Sequence, residues 1–93
     1  MAGVEVPLRR AMRDNRDQGR FEIDEAGLVV FADYRRREGQ IIIDHVEAPP
    51  ALRGSGAAGR LMAEIVRQAK AERARIIPLC GYAAAWLKRN AGG

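Results

Sequence analysis

The chain has 93 residues, 47% of them hydrophobic, which fits one globular domain with a modest core and leaves no room for two. A single cysteine excludes an internal disulfide framework and favours a reducing setting. The N-terminus lacks a signal-peptide pattern, and no apolar run approaches the roughly 18 residues that a membrane span requires. We therefore expect a cytoplasmic protein.

The chain is basic, with a net charge of +4 and a pI of about 10.0, which would suit an anionic partner. Its 16 basic residues are scattered among 12 acidic ones, however, and only 5% of the residues are aromatic. So few aromatic side chains do not make an evident platform for base stacking. Nucleic-acid binding is therefore the least favoured of the functions considered below.

The N-terminal half predicts a three-stranded meander. Residues 1–18 are polar and arginine-rich, and we expect them to be loosely ordered, with the domain proper over residues 19–91. "RFEID" alternates apolar and polar side chains, "EAG" predicts a turn, and "LVVFADY" is a second β-rich run. "RRREG" predicts another turn before "QIIIDHV". Two short turns between three strands indicate antiparallel pairing.

The C-terminal half predicts helices. Pro49 and Pro50 end the third strand, because proline cannot donate to a sheet. From Ala58 to Ala69 the apolar residues follow helical spacing. "ARIIPLC" then predicts a short buried strand and "YAAAWLKRN" a final helix. The order β-β-β-α-β-α predicts an α+β domain in which two helices pack on a mainly antiparallel sheet.

The stretch Gly54-Ser55-Gly56-Ala57-Ala58-Gly59 reads GxGxxG, the dinucleotide fingerprint. The fingerprint requires a strand running directly into the glycines and an acidic residue after the next strand. Pro49 and Pro50 separate the strand from the glycines, and Leu79-Cys80-Gly81 stands where the acidic residue is required. Nicotinamide binding is therefore rejected. No Gly-Lys-Ser/Thr follows, which rejects a P-loop. A glycine-rich helix start still offers N–H groups to a phosphate, with Arg53 and Arg60 beside it. The alternative is a plain glycine-rich helix start.

The same stretch carries a family resemblance. Residues 53–58, "RGSGAA", fit Q/R-x-x-G-x-G/A, the acetyl-CoA signature of GNAT-type N-acetyltransferases. Together with "FEIDEAGLVVFADY", "IIIDHVEAPPALRG" and "IIPLCGYAAAWLKRN", it resembles the small single-domain GNAT proteins of the YjdJ-like group. The resemblance extends over nearly the whole chain, and V-E-x-P-P with P-L-C makes it more specific than R-G-x-G alone.

The resemblance implies that acetyl-CoA is the co-substrate. N–H groups of the glycine-rich stretch would hold the pyrophosphate, and the preceding strand would pair with the amides of the pantetheine arm. The implied cofactor-binding residues are Val46, Glu47, Ala48, Arg53, Gly54, Ser55, Gly56, Ala57, Ala58, Gly59, Arg60, Cys80 and Tyr82. The acceptor would be an amine of a protein, a polyamine or a small metabolite.

Three residues are candidates for catalysis. Cys80 is either an acetyl acceptor, a proton donor to the departing thiolate, or a small buried side chain. His45 is a natural general base near neutral pH, although strand alternation could equally turn it to the outer face. Glu47 could deprotonate an ammonium group or be a solvated strand-end charge. Tyr82 could contact CoA, donate a proton or pack in the core. We expect no metal site, because one histidine and one cysteine do not make a ligand set.

The sequence thus favours an acetyl-CoA-dependent N-acetyltransferase. Two alternatives remain open: a CoA-binding or regulatory module without transferase activity, and a small basic protein that binds nucleic acid.

Overall fold

The computed structural model describes residues 11–90, which form one sheet and two helices. The strands are β1 (Arg13–Asn15), β2 (Arg20–Glu25), β3 (Leu28–Arg37), β4 (Gln40–Glu47) and β5 (Arg75–Pro78). The helices are α1 (Ala57–Glu72) and α2 (Gly81–Asn90), and a short 3-10 turn (Pro50–Leu52) precedes α1.

The strands lie in the sheet in chain order, from β1 to β5. All neighbours pair antiparallel except β4 and β5, which are parallel because α1 carries the chain back between them. This confirms the predicted α+β class with a mainly antiparallel sheet and two helices. The structure adds β1, a strand that the sequence analysis did not predict.

One face of the sheet and the two helices form the core. Alternate residues of β2 and β3 are buried on this face, as a strand with one covered side requires, and Ile41 and Ile43 of β4 belong to the same core. They pack against α1 residues at helical spacing and against Ala83 of α2. The largest fully buried side chains are Phe21, Ile23, Val30, Ile41, Ile43, Leu61, Met62 and Ile65.

The opposite face of the sheet is polar. Ion pairs cross it between neighbouring strands, from Arg13 to Asp24, from Arg20 to Asp33 and from Arg35 to Asp44. The Arg20 guanidinium also lies 3.8 Å from the centre of the Phe31 ring. These contacts cover apolar surface with the stems of charged side chains. His45 is the cross-strand neighbour of Asp33 and therefore belongs to this polar face.

The predicted turn at "RRREG" is shorter than expected. β3 continues through its three arginines to Arg37, and only Glu38 and Gly39 form the turn, with Gly39 in the left-handed region at φ 70°. Arg36 is held on the helix face by Glu72 at the end of α1 and by Asp14 of β1. Ion pairs to two other elements thus extend the strand beyond its apolar pattern.

Asp14 connects β1 to the rest of the sheet. Its carboxylate accepts hydrogen bonds from the Tyr34 hydroxyl and, at 2.9 Å, from Arg36 Nη2. Tyr34 in turn stacks on Phe21, with ring centroids 4.1 Å apart. These partners lie 20 and 22 residues away, so no local pattern could have indicated the strand.

We predict that Asp14→Asn lowers the free energy of unfolding by about 1–2 kcal/mol, because the amide cannot accept both charge-assisted hydrogen bonds. Asp17→Asn, at an exposed turn position, is the matched control and should change stability by less than about 0.5 kcal/mol. Urea unfolding of the three proteins measures the difference. Equal stability of the two variants would show that Asp14 does not hold β1.

Candidate functional site

β4 and β5 separate at the end of their pairing, and this opens a slot in the sheet. Their last paired residues are Ile43 and Pro78. The N–H groups of Leu79 and Cys80 both donate to the Ile43 carbonyl, at 2.9 and 3.2 Å. β4 runs on to Glu47 while it stays paired with β3 on its other side. Its last residues therefore present one edge that β5 does not cover.

Val46 is the residue whose backbone faces this slot. The Tyr34 N–H donates to the Gly19 carbonyl on the β2 side, so strand alternation points the backbone N–H and C=O groups of Asp33 toward β4. The backbone groups of its partner His45 then point toward β3, and those of the next residue, Val46, point away from β3. The register shift opposite Asp33 and Tyr34 leaves Asp44 as the extra residue of a β-bulge. The bulge sets which backbone groups of β4 point into the slot.

The glycine-rich stretch forms the loop between the 3-10 turn and α1. Gly54 and Gly56 both adopt left-handed conformations, with φ of 81° and 86°. The Ser55 hydroxyl donates to the Leu52 carbonyl at 2.5 Å and accepts from the Ala57 N–H at 3.2 Å. Gly56 caps α1 without a side chain, which leaves the positive end of the helix open to a ligand.

A cleft of about 330 Å³ lies against this loop. Seven of its lining residues belong to the predicted cofactor set, and Leu52 is the eighth. The lining residues are Ala48, Leu52, Arg53, Gly54, Gly56, Ala57, Ala58 and Tyr82. The structure thus brings the end of β4, the loop and the start of α2 to one cleft. The sequence analysis did not predict Leu52 as a lining residue. The signal that could have indicated it is that Leu52 is the one large apolar residue in a stretch rich in proline and glycine.

Gly59 has a packing role in the structure. A Cβ atom at this position would lie 3.1 Å from Trp86 Nε1 and 3.6 Å from the Tyr82 hydroxyl. The absence of a side chain lets α2 approach the first turn of α1. This contact carries Tyr82 to the cleft, and Trp86 packs against the core.

The two arginines beside the loop differ in their contacts. Arg60 makes a two-pronged pair with Glu25, with N–O distances of 2.6 and 2.7 Å. Arg53 is two-thirds exposed and lies 3.6 Å from the Glu47 carboxylate. Arg53 is therefore the more available cation. Glu25 had no role in the sequence analysis, where it was part of a predicted turn.

His45 and Glu47 lie side by side on the polar face at the end of β4. His45 Nε2 is 2.7 Å from Glu47 Oε1, and both side chains are partly exposed. The hydrogen bond from His45, together with the weaker influence of Arg53, lowers the pKa of the Glu47 carboxyl. The pair can hold a proton between an imidazole and a carboxylate at the mouth of the slot.

Cys80 and Tyr82 lie on the other side of the slot. Cys80 is half-buried against the core and precedes α2, whose Ala84 N–H donates to the Cys80 carbonyl at 2.9 Å. Tyr82 keeps 39% of its surface exposed, and partial burial raises the pKa of its hydroxyl. Both can therefore present a proton donor near the diverging ends of β4 and β5.

Comparison with known families identifies the domain. The family model described as GCN5-related N-acetyl-transferase matches residues 20–92, which include every element except β1. The chain belongs to the GCN5-related N-acetyltransferase family, and its domain is therefore of the acyltransferase type. No curated protein matches the chain. The match confirms the predicted GNAT-type family, while the YjdJ-like subgroup stays a prediction.

Two absences hold for the part of the chain that the structure describes. No helix within residues 11–90 combines the length and apolarity that crossing a membrane requires. The same residues contain no group of three or more histidine, cysteine, aspartate or glutamate side chains placed to hold a metal ion.

We predict that His45→Asn raises the pKa of Glu47 toward the ordinary value of a glutamate, because the largest cause of the lowered pKa is removed. Arg53→Gln should raise it less. A carboxyl with a lowered pKa stabilises the fold above its ordinary pKa, and this contribution is lost as the pH falls through the lowered one. NMR titration of the Glu47 carboxyl measures the shift. An unchanged midpoint in the His45 variant would contradict the pairing.

Proposed function

We propose that the protein is an acetyl-CoA-dependent N-acetyltransferase that acts on an amine acceptor in the cytoplasm. The observation that carries the proposal is the juxtaposition of the uncovered edge at Val46 with the glycine-rich loop at the start of α1. A strand edge suits a ligand with amide groups, and a glycine-rich helix start suits a diphosphate. Acetyl-CoA contains both groups in one chain.

In this proposal two surfaces of the domain bind different parts of acetyl-CoA. The N–H groups of the loop and the first turn of α1 hold the diphosphate, and Arg53 adds a positive charge. The Val46 backbone pairs with the pantetheine amides, and Ala48 and Tyr82 line the cleft between them. Family membership supports this division.

The reaction is a direct acyl transfer. The amine nitrogen forms a bond to the thioester carbonyl carbon, and the bond from that carbon to sulfur breaks. An N–H group near Val46 stabilises the developing oxyanion. Glu47, alone or with His45, accepts the proton that the ammonium group must lose. As the bond to sulfur breaks, Cys80 or Tyr82 gives a proton to the departing thiolate and regains one from the nitrogen, which loses its second proton as the amide forms, so that the products are an amide and CoA.

The polar face of the sheet gives the acceptor its approach. His45 and Glu47 lie on this face, and in the described residues no helix packs over it. Leu79, 62% exposed, borders the same slot from the β5 side. An amine can therefore reach the slot from the face opposite α1 and α2.

We predict that Gly54→Val weakens acetyl-CoA binding by about tenfold or more, because a side chain there would enter the space of the diphosphate. Gly39→Val is the matched control. Both glycines have positive φ and no atom within 4 Å of an added Cβ, so both variants carry the same kind of backbone strain. Gly39 lies in the β3–β4 turn, at the opposite end of β4 from the loop.

Isothermal titration with acetyl-CoA, together with thermal unfolding, separates affinity from stability. The proposal predicts a similar loss of stability in both variants and a loss of affinity in Gly54→Val alone. Equal affinity in the two variants would contradict the assignment of the loop. Gly56 is less informative, because a Cβ there would lie 3.0 Å from Arg60 Nη1 and disturb that side chain too.

We predict that acetyl-CoA alone leaves the mass of the protein unchanged, since a bound amine can reach the thioester without an acetyl-cysteine intermediate. Intact-mass spectrometry of wild type and Cys80→Ala after exposure to acetyl-CoA measures this. Kinetics with an amine should require both substrates to be bound together. One acetyl group that appears on wild type, is absent from Cys80→Ala and is discharged by an amine would overturn direct transfer.

A further inference from the structure

Arg60 connects three parts of the candidate site. Its Nε and Nη2 atoms donate to the two carboxylate oxygens of Glu25 at 2.6 and 2.7 Å. Nη2 also donates to the Ser55 carbonyl in the glycine-rich loop, at 3.2 Å. The guanidinium therefore joins the end of β2, the loop and the first turn of α1. Its pKa is raised by the Glu25 hydrogen bonds, so it stays charged.

Glu25 is a fixed anchor for this arginine. Only 4% of its surface is exposed, and within residues 11–90 it is the one charged residue that is buried. It is the last residue of β2, just before a tight turn in which Ala26 and Gly27 both have positive φ. A buried carboxylate that loses its partner is destabilised, whereas the Arg60 side chain is half exposed. The buried carboxylate therefore holds the Nε and Nη2 side of the Arg60 guanidinium in one place.

The loop is shaped around Arg60. Gly56 adopts φ 86°, and a Cβ on it would lie 3.0 Å from Arg60 Nη1. The bond to the Ser55 carbonyl fixes the peptide that precedes Gly56. Glycine at position 56 thus serves the close approach of the arginine as well as the backbone turn.

We propose that the Glu25–Arg60 ion pair positions the glycine-rich loop for a diphosphate, and that Arg60 acts through the loop backbone without touching the phosphate. The inference rests on the proposed function. Two of the guanidinium's donor atoms are engaged by Glu25, which also neutralises its charge. Arg53 is two-thirds exposed, and among the described residues its side chain pairs with Glu47 at 3.6 Å, so it is the cation that meets the diphosphate directly. Arg60 and Glu25 are positioning residues.

The Glu25→Gln variant distinguishes positioning from direct contact by the sign of its effect. If Arg60 bound the phosphate, loss of a nearby negative charge would free it, and acetyl-CoA would bind more tightly. If the pair positions the loop, acetyl-CoA binds about tenfold more weakly, as the loss of a hydrogen bond between charged groups implies. Acetyl-pantetheine, which lacks the diphosphate, should bind Glu25→Gln as it binds wild type.

Two further variants complete this comparison of affinities. Arg60→Lys keeps the charge but cannot hold Glu25 and Ser55 together, so positioning predicts a similar loss for acetyl-CoA. Glu72→Gln is the matched control, since it removes the same kind of carboxylate from Arg36 at the far end of α1. It should lower stability and leave both affinities unchanged. Tighter acetyl-CoA binding in Glu25→Gln, or equal losses for the two ligands, would overturn the inference.

A measurement without ligand keeps this inference separate from the proposed function. Failure of wild type to bind acetyl-CoA would count against the proposed function alone. NMR relaxation of the loop amides of residues 54–58 tests the positioning itself. The inference predicts that these amides become more mobile in Glu25→Gln and Arg60→Lys and stay unchanged in Glu72→Gln. Equal order in all four proteins would overturn it.

Discussion

The end of pairing between β4 and β5 is the constraint on which the candidate site depends. After Ile43 the parallel ladder stops, because its carbonyl is taken by the Leu79 and Cys80 N–H groups and the chain then turns into α2. β4 is kept extended on its other side by β3 as far as Glu47. A backbone edge without a strand partner is a template for another chain of amides. The site follows from this interrupted pairing more than from any single side chain.

The rest of the fold fixes what surrounds the slot. α1 packs through its buried stripe on the sheet, which sets the glycine-rich loop beside the end of β4. Because Gly59 has no side chain, α2 packs close to the first turn of α1, and this brings Tyr82 to the same cleft. The Glu25–Arg60 pair joins the loop to the end of β2. Core packing, the close approach of two helices and an ion pair on a buried carboxylate thus meet in a region of few residues.

Local patterns predicted what depends on neighbours in the sequence. Alternation predicted β2, a β-rich run predicted β3, and a turn followed by an apolar run predicted β4. Helical spacing predicted α1, and the glycines with Arg53 indicated the loop that lines the cleft. β1 and the full length of β3 were missed, because Asp14, Arg36 and Glu72 hold them through contacts between distant residues. For the same reason Glu25 read as a turn residue and Arg60 as a flanking cation, since only the folded chain brings them together. The roles assigned to Cys80, His45 and Glu47 stay predictions.

Hydrogen exchange at the Val46 amide tests the central claim most directly, because alternation makes it the N–H group that faces the slot. In the free protein this amide should exchange much faster than the Leu79 amide, which donates to the Ile43 carbonyl at 2.9 Å. Saturating acetyl-CoA should slow it strongly, while an adenine nucleotide without pantetheine should leave it fast. Rapid exchange at Val46 in the presence of bound acetyl-CoA would contradict the account, since the ligand would then lie elsewhere than on the edge of β4.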